Sequence, residues 1–409
     1  MLDRILRPAK TICAKVLSRR RYLLLGAGLA LLIVVLYATL APKAAVEMPY
    51  VQNVSPHSAT IVLRLRKARA AELRYGPTRK CPQVQFAGTQ ETLHKFVLDG
   101  LSPGTTYYYK VGGGFRSGVH RFTTAPSGPE PFKFVVYGDN RGYPERHSAV
   151  ARLIQKEAPD FILHTGDLLD NGDDYGLWGT EFFGPLKEVL PGIPLYPTHG
   201  NHDGSPTGNY KKLFSLPGDG IRYSFRWSNA EFFTFDSDVK AGALLDAAKW
   251  LDEQLAASKA DWKIVWSHYP IFSSGEHTMH TGLREAIEPV LSRNRVPIVF
   301  AGHNHGYERT VGIVSRSCEG CAPVQYVITG GGGANVHSFR KVTWDELALP
   351  IHHICTVAVN GRHLSFAAIG LDGKVFDRLE LDRDGKPART AYAEDVIRDE
   401  VFRSRAVPE

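Results

Sequence analysis

Phe132-Lys-Phe-Val-Val-Tyr-Gly-Asp139-Asn-Arg141 decides how the rest of the chain is read. A six-residue run of β-forming side chains, interrupted only by Lys133, ends in a Gly-Asp pair, the pattern of a buried strand that stops at a sharp turn with a carboxylate on its tip. The same grammar returns downstream. Asp160–His164 runs into Thr165-Gly-Asp167, Ile193–Pro197 into Gly200-Asn-His-Asp203, Trp262–Trp266 into Ser267-His268, and Val296–Phe300 into Gly302-His-Asn-His305. Amphipathic stretches at Glu145–Glu157, Asp246–Ala257 and Thr281–Arg293 fall between some of these runs, so strands alternate with helices in an α/β core. The polar residues collect at strand carboxyl ends, the edge of an open α/β sheet where sites form.

Working outward, Arg222–Trp227 and Glu231–Asp236 read as a hairpin turning at Ser228-Asn229. A second β-rich block from Val324 to Asp377 has its own turn at Asp372-Gly373, which implies two sheets. Upstream, Pro126 to Pro131 reads as a linker. Before it, Ala59–Leu65, Ala71–Tyr75, Leu93–Leu98 and Thr106–Val111 are short β-rich runs with no helical period. The stretch Leu101 to Val111, followed by Phe122-Thr-Thr-Ala-Pro126, resembles the end of a fibronectin type III sandwich. The expected organisation is a β-sandwich over 48–125, an α/β domain over 132–380 and a tail over 381–409.

The composition excludes some functions. Hydrophobic content of 43% and charged content of 22% across 409 residues fit folded domains, not a disordered chain. The net charge of +7 is nearly all local: seven cations between Arg4 and Arg21 face Asp3 alone, so +6 sits in residues 1–21. No nucleic-acid-binding surface is expected. The uncharged run Tyr22–Leu40 that follows is about the ~20 residues a membrane-spanning helix needs, and cations ahead of a first span hold that side in the cytoplasm. The chain therefore reads as single-pass, with a cytoplasmic basic segment (1–21), a signal-anchor (22–40) and an extracytoplasmic catalytic domain. A bacterial inner membrane facing the periplasm fits this topology, and a cleaved signal peptide is the alternative reading. Cys81, Cys318, Cys321 and Cys355 would then lie in an oxidising compartment, where one or two disulfides form; a local Cys318–Cys321 bond is favoured.

Asp, Asn and His supply oxygen and nitrogen donors that suit iron, manganese or zinc, and one carboxylate is able to bridge two ions. Two such ions about 3.5–4 Å apart would activate a water and neutralise charge on a phosphoryl group. Each motif alone is weak, because a strand-end aspartate is commonly a turn cap. Five in order are specific. The set resembles the calcineurin-like metallophosphoesterases over residues 132 to about 370. Gly302-His-Asn-His-Gly-Tyr-Glu-Arg309, Trp266-Ser-His268-Tyr-Pro270, the glycine run Gly330 to Gly333 and the preceding β-rich module resemble their purple acid phosphatase branch.

The resemblance implies an α/β/β/α sandwich and a dinuclear site. In that site Asp167 bridges the ions, Asp139 and His305 bind one, and Asn201, His268 and His303 bind the other. It also implies that His202 faces the phosphate and the leaving group, and that His277 lies where the branch often carries an acid histidine. Two departures touch the first metal position. Arg141 stands where many members have histidine, and Asp170 where the purple enzymes have the tyrosine that gives them colour, so charge-transfer colour is expected to be absent. Asp170 would serve as an oxygen ligand or pair with Arg141, and Arg141 would otherwise clamp a substrate phosphate. The implied activity is hydrolysis of a phosphate monoester outside the cytoplasm. The alternatives are a phosphodiesterase or pyrophosphatase acting on nucleotides or lipid head groups, and a catalytically inactive binding protein.

Overall fold

A computed structural model of the protein describes residues 48–112, 117–277, 280–315, 319–382 and 390–392. The segments 1–21 and 22–40, Cys13, Cys318 and nearly all of the tail lie outside the described residues. Among the described residues no helix is long and apolar enough to cross a membrane.

The first five strands are β1 (Met48–Gln52), β2 (Ser58–Gly76), β3 (Gln83–Asp99), β4 (Thr106–Gly112) and β5 (His120–Thr123). Three of the short runs expected from sequence are halves of longer strands. Arg66 and Lys67 read as an interruption, but the chain stays extended through them and absorbs the change as breaks in register between Arg64 and Ala71. Before the break β2 pairs with β1 and the end of β3; after it, with β4 and the start of β3. Ile61, Leu63 and Phe96 from one half share a core with Leu73, Tyr109 and Phe122 from the other. The two halves therefore enclose apolar side chains between them.

This β-rich domain is locked onto the rest. The Tyr50 hydroxyl donates to the Leu213 carbonyl (2.7 Å) and the Tyr109 hydroxyl to that of Pro191 (2.7 Å). Fully buried Arg64 lies over the rings of Tyr175 and Phe183, at 4.8 and 5.2 Å. The segment from Gly172 to Leu190 supplies part of this interface: Phe183 meets the Tyr50 ring at 5.0 Å, and Trp178 and Phe182 beside it are completely buried.

Two sheets follow. One runs β19 (Val375–Asp382), β18 (His363–Gly370), β17 (His353–Asn360), β6 (Phe132–Tyr137), β7 (Phe161–His164), β8 (Leu195–Pro197). The other runs β16 (Asp345–Leu349), β13 (Tyr307–Thr310), β15 (Gln325–Thr329), β12 (Ile298–Ala301), β11 (Trp262–Trp266), β10 (Ala230–Thr234), β9 (Tyr223–Trp227). A small parallel pair, β14 (Gly312–Val314) with β20 (Thr390–Tyr392), stands apart.

Strand alternation sorts the side chains into layers. Phe134 and Val136 point into the core between the sheets, where Phe134 stacks on Phe161 (5.2 Å) and meets Phe232 edge-on (5.3 Å). Val135 and Tyr137 point the other way, onto Val150 and Ile154 of helix α1 (Pro144–Glu157). On the far sheet Phe233, Val265 and Val299 pack on helices α2 (Ala241–Ala257) and α3 (Thr281–Arg293). The result is the expected α/β/β/α order. Cys81 and Cys355 are free and buried, so no second disulfide joins the two domains, while Cys321 is disulfide-bonded.

Candidate active site

The parallel strands β6, β7 and β8 of one sheet and β11 and β12 of the other end on a common edge, and their connections carry the polar residues. Backbone strain marks the same place. Asp139, Asp167 and His303 adopt φ of 58°, 54° and 68°, a left-handed conformation that costs non-glycine residues of order 1–3 kcal/mol and persists only where surroundings enforce it. The enforcement is visible. The Asp139 N–H donates to the Gly166 carbonyl (3.0 Å), and the His303 N–H donates to both Asp139 carboxylate oxygens (3.0 and 3.1 Å). A side chain at Gly302 would strike the Asp139 carboxylate, and one at Gly200 the Asp167 backbone. Only glycine permits these approaches.

Six of the residues expected to bind metal converge. Asp139, Asp167 and His305 bring ligand atoms within 4.8 Å of one another. Beside them, His268 Nε2 lies 2.9 Å from Asn201 Oδ1 and 3.4 Å from Asp167 Oδ1, and His303 Nδ1 is 3.2 Å from Asn201 Oδ1. Asp167 thus touches both groups. The second nitrogens decide the tautomers: His268 Nδ1–H donates to the Thr165 carbonyl and His305 Nδ1–H to that of Asn335, each at 2.8 Å. Their Nε2 atoms face carboxylate or amide oxygens, acceptor against acceptor, a donor set whose chemistry fits a cation.

The electrostatics agree. Burial and neighbouring rings push His303 down to about 2 and His305 down to about 3, and burial lowers His268, so all three are in the neutral, ligating form. Burial and the charge of Asp167 push Asp139 up. Two adjacent buried carboxylates with neutral imidazoles around them fit two metal ions well.

Of the remaining expected residues, Asp170 lies outside the metal-type group. Its carboxylate accepts from Arg141 Nη1 (3.1 Å), and Arg141 Nε also approaches Asp167 Oδ2 (3.3 Å). His202 adjoins them: its N–H donates to Asp167 Oδ1 (2.9 Å) and its Nδ1–H to the Asp170 carbonyl (2.8 Å), which leaves Nε2 as the ring nitrogen not engaged by these bonds. His277 is exposed, with its ring 4.4 Å from that of His303.

Several supporting residues were not assigned from sequence. Asp203, the last residue of the Gly-Asn-His-Asp motif, accepts from the N–H groups of Asp167, Leu168 and Gly200. Asn304, between the two histidines, clamps the His277 backbone by accepting from its N–H (2.9 Å) and donating to its carbonyl (3.1 Å). Glu308 accepts from the Ser274 N–H (2.8 Å), and Arg309 makes a two-pronged bond to Asp377 (2.6 and 2.9 Å). Glu181 receives the N–H groups of both Gly142 (2.9 Å) and Asp170 (2.8 Å), so it fixes the loops that carry the Arg141 pair. His337 stacks on His305 at 4.0 Å. No motif announces Glu181 or His337.

Residues 132–307 match the family described as calcineurin-like phosphoesterase, and residues 44–124 match the purple acid phosphatase N-terminal domain. The chain thus carries a calcineurin-like metallophosphoesterase domain behind that N-terminal domain, and its homologues are purple acid phosphatases. A probable purple acid phosphatase of Arabidopsis thaliana is 30% identical over 59% of this chain and 60% of its own length. Acid phosphatase type 7 of Mus musculus is 28% identical over 53% and 56%. The purple acid phosphatase structure from yellow lupin (Lupinus luteus) seeds shares the fold with a TM-score of 0.70 at 16% identity, covering 85% of this chain and 75% of that one. The chain spans about 60% of the length of the Arabidopsis relative.

Proposed function

We propose that the protein hydrolyses phosphate monoesters at a dinuclear metal site. The observation that carries this is Asp167 standing between two donor groups, Asp139 with His305 and Asn201 with His268 and His303, on one strained sheet edge. Two ions of iron, manganese or zinc held there would lower the pKa of a water and offset charge at phosphorus. The chain's own residues do the rest. Arg141, braced by Asp167 and Asp170, presents a guanidinium for phosphate oxygens. His202, its Nδ1–H fixed on the Asp170 carbonyl, holds at Nε2 the proton that the departing alkoxide takes as the P–O bond breaks. The test is metal content and p-nitrophenyl phosphate turnover on residues 46–409 reconstituted with each metal; one ion or none, with no turnover of mono- or diesters, would move belief to a binding protein.

Arg141→Ala is expected to raise KM about tenfold or more while kcat changes less, since a hydrogen bond to a charged group contributes roughly 1.5–3 kcal/mol. Steady-state kinetics showing a loss mainly in kcat would reject the clamp.

The disulfide at Cys321 and the apolar run Tyr22–Leu40 support an anchored protein with its catalytic domain outside the cytoplasm. Protease added to intact spheroplasts is then expected to digest the catalytic domain; full protection would overturn that location.

A further inference from the structure

The metal-type groups open on one side into a cleft of about 570 Å³, within the range of small-molecule sites. Asp238, Tyr269, Pro270, His280, Thr281 and His303 line it. Because His303 belongs to both, a phosphate held at the site would send its leaving group into this space. A larger groove of about 790 Å³, between Ala68, Leu93 and Lys212, lies on the β-rich domain instead.

The walls of the cleft are built. The Tyr269 ring stands edge-on against His303, 4.3 Å away, and its N–H is pinned on the Ser237 hydroxyl (2.8 Å). Its hydroxyl donates to Asp238 Oδ1 (3.1 Å), which fixes that carboxylate at the rim and leaves Oδ2 unoccupied by this bond. The Asp238 N–H donates to the Asp236 carboxylate (2.9 Å), so a second negative group stands behind the first. Opposite, His280 caps α3 by accepting from the Leu283 N–H at Nδ1 (3.1 Å), and its ring lies nearly parallel to that of Tyr269 (13°). No lysine or arginine is among the described residues that line the space.

We infer that this cleft is a leaving-group subsite for an alcohol bearing an ammonium group, with Asp238 and the Tyr269 ring as its specificity determinants. The inference rests on the phosphomonoesterase reading above. An aromatic face beside a fixed carboxylate attracts a cation, whereas the further phosphates of a nucleotide or pyrophosphate would meet Asp238 and Asp236 as like charges. Hydrolysis of such an ester balances simply: water supplies the oxygen to phosphorus, the P–O bond to the alcohol breaks, and the amino alcohol leaves with one proton.

Two esters of equal length separate charge from size: O-phosphoethanolamine and phosphoglycolate, measured on the metal-loaded protein with p-nitrophenyl phosphate as reference. An exposed ion pair gained on one side and a repulsion lost on the other amount to roughly tenfold in kcat/KM in favour of the amine. Asp238→Asn is expected to bring that ratio near unity, and Asp238→Lys to invert it. A wild-type preference for phosphoglycolate, or a ratio that Asp238→Asn leaves intact, would overturn the subsite. The same preference seen in calorimetric binding, on metal-loaded protein that hydrolyses neither ester nor p-nitrophenyl phosphate, would uphold the subsite and sink the hydrolase reading.

Discussion

Asp167→Asn is expected to cut phosphatase turnover by more than 10²-fold and to reduce bound metal from two ions per chain to one or none. Residues that merely orient metal ligands already cost 10- to 100-fold when changed, and Asp167 is the group common to both donor sets, with Oδ1 toward His268 and Oδ2 toward Arg141. The change keeps the shape, so the fold should survive it. It also removes a charge that burial and crowding make unfavourable without metal, since the charge of Asp167 is part of what pushes buried Asp139 above the usual carboxylate range. The metal-free variant is therefore expected to melt no lower than the metal-free wild type, while added metal stabilises only the wild type strongly. Metal analysis and paired thermal melts decide it. A variant that holds both ions and turns over within tenfold of wild type would show that the two groups do not share Asp167.

How much of this was legible beforehand follows from what each signal depends on. Phe132–Tyr137, Trp262–Trp266 and the helix Thr281–Arg293 lie within the bounds the pattern suggested. Their alternation or 3.6-residue period is imposed by a core on one or both faces, and that constraint is written into adjacent residues. The joined strands of the β-rich domain were not legible, because Arg66 and Lys67 are held extended by pairing with β3 on either side of them, up to Arg64 and again from Arg69, with partners distant in sequence. Fully buried Trp178 and Phe183 answer to the neighbouring domain, a constraint that no local period records.

The convergence of the six donors was legible for a different reason: each motif joins a strand end to a donor, so a local pattern carries a long-range arrangement. Residues that support them carry no such mark. Glu181 acts through two backbone N–H groups on separate loops, and His337 meets His305 from a segment 32 residues away. The pairing of Asp170 with Arg141 was one of two open readings, and the geometry shows the ion pair.

The second large effect is expected at Asp203, whose carboxylate is engaged by backbone N–H groups and contributes no atom to the metal-type donor sets. It is fully buried; Oδ2 accepts from the N–H groups of Asp167 (3.1 Å) and Gly200 (2.8 Å), and Oδ1 from that of Leu168 (2.7 Å). These bonds hold the left-handed turn at Asp167 and tie it to the Gly200-Asn201-His202 turn, so one carboxylate sets the spacing of three functional side chains. Burial and the nearby Asp167 charge push its pKa up, but the three donors require acceptor oxygens in either protonation state. Asp203→Ala leaves all three without a partner, at roughly 1–3 kcal/mol for each buried group left unsatisfied. A loss of about 3 kcal/mol or more, read as a fall of roughly 6–12 °C in the melting temperature of the metal-free protein, is expected. Metal affinity should weaken by 10- to 100-fold. Asp203→Asn, which keeps one oxygen, should fall between the two. An Ala variant that melts like wild type but loses metal would place the strain of the Asp167 turn under some other restraint. One that unfolds earlier and still binds metal normally would mean that the metal ions, once bound, impose the spacing themselves.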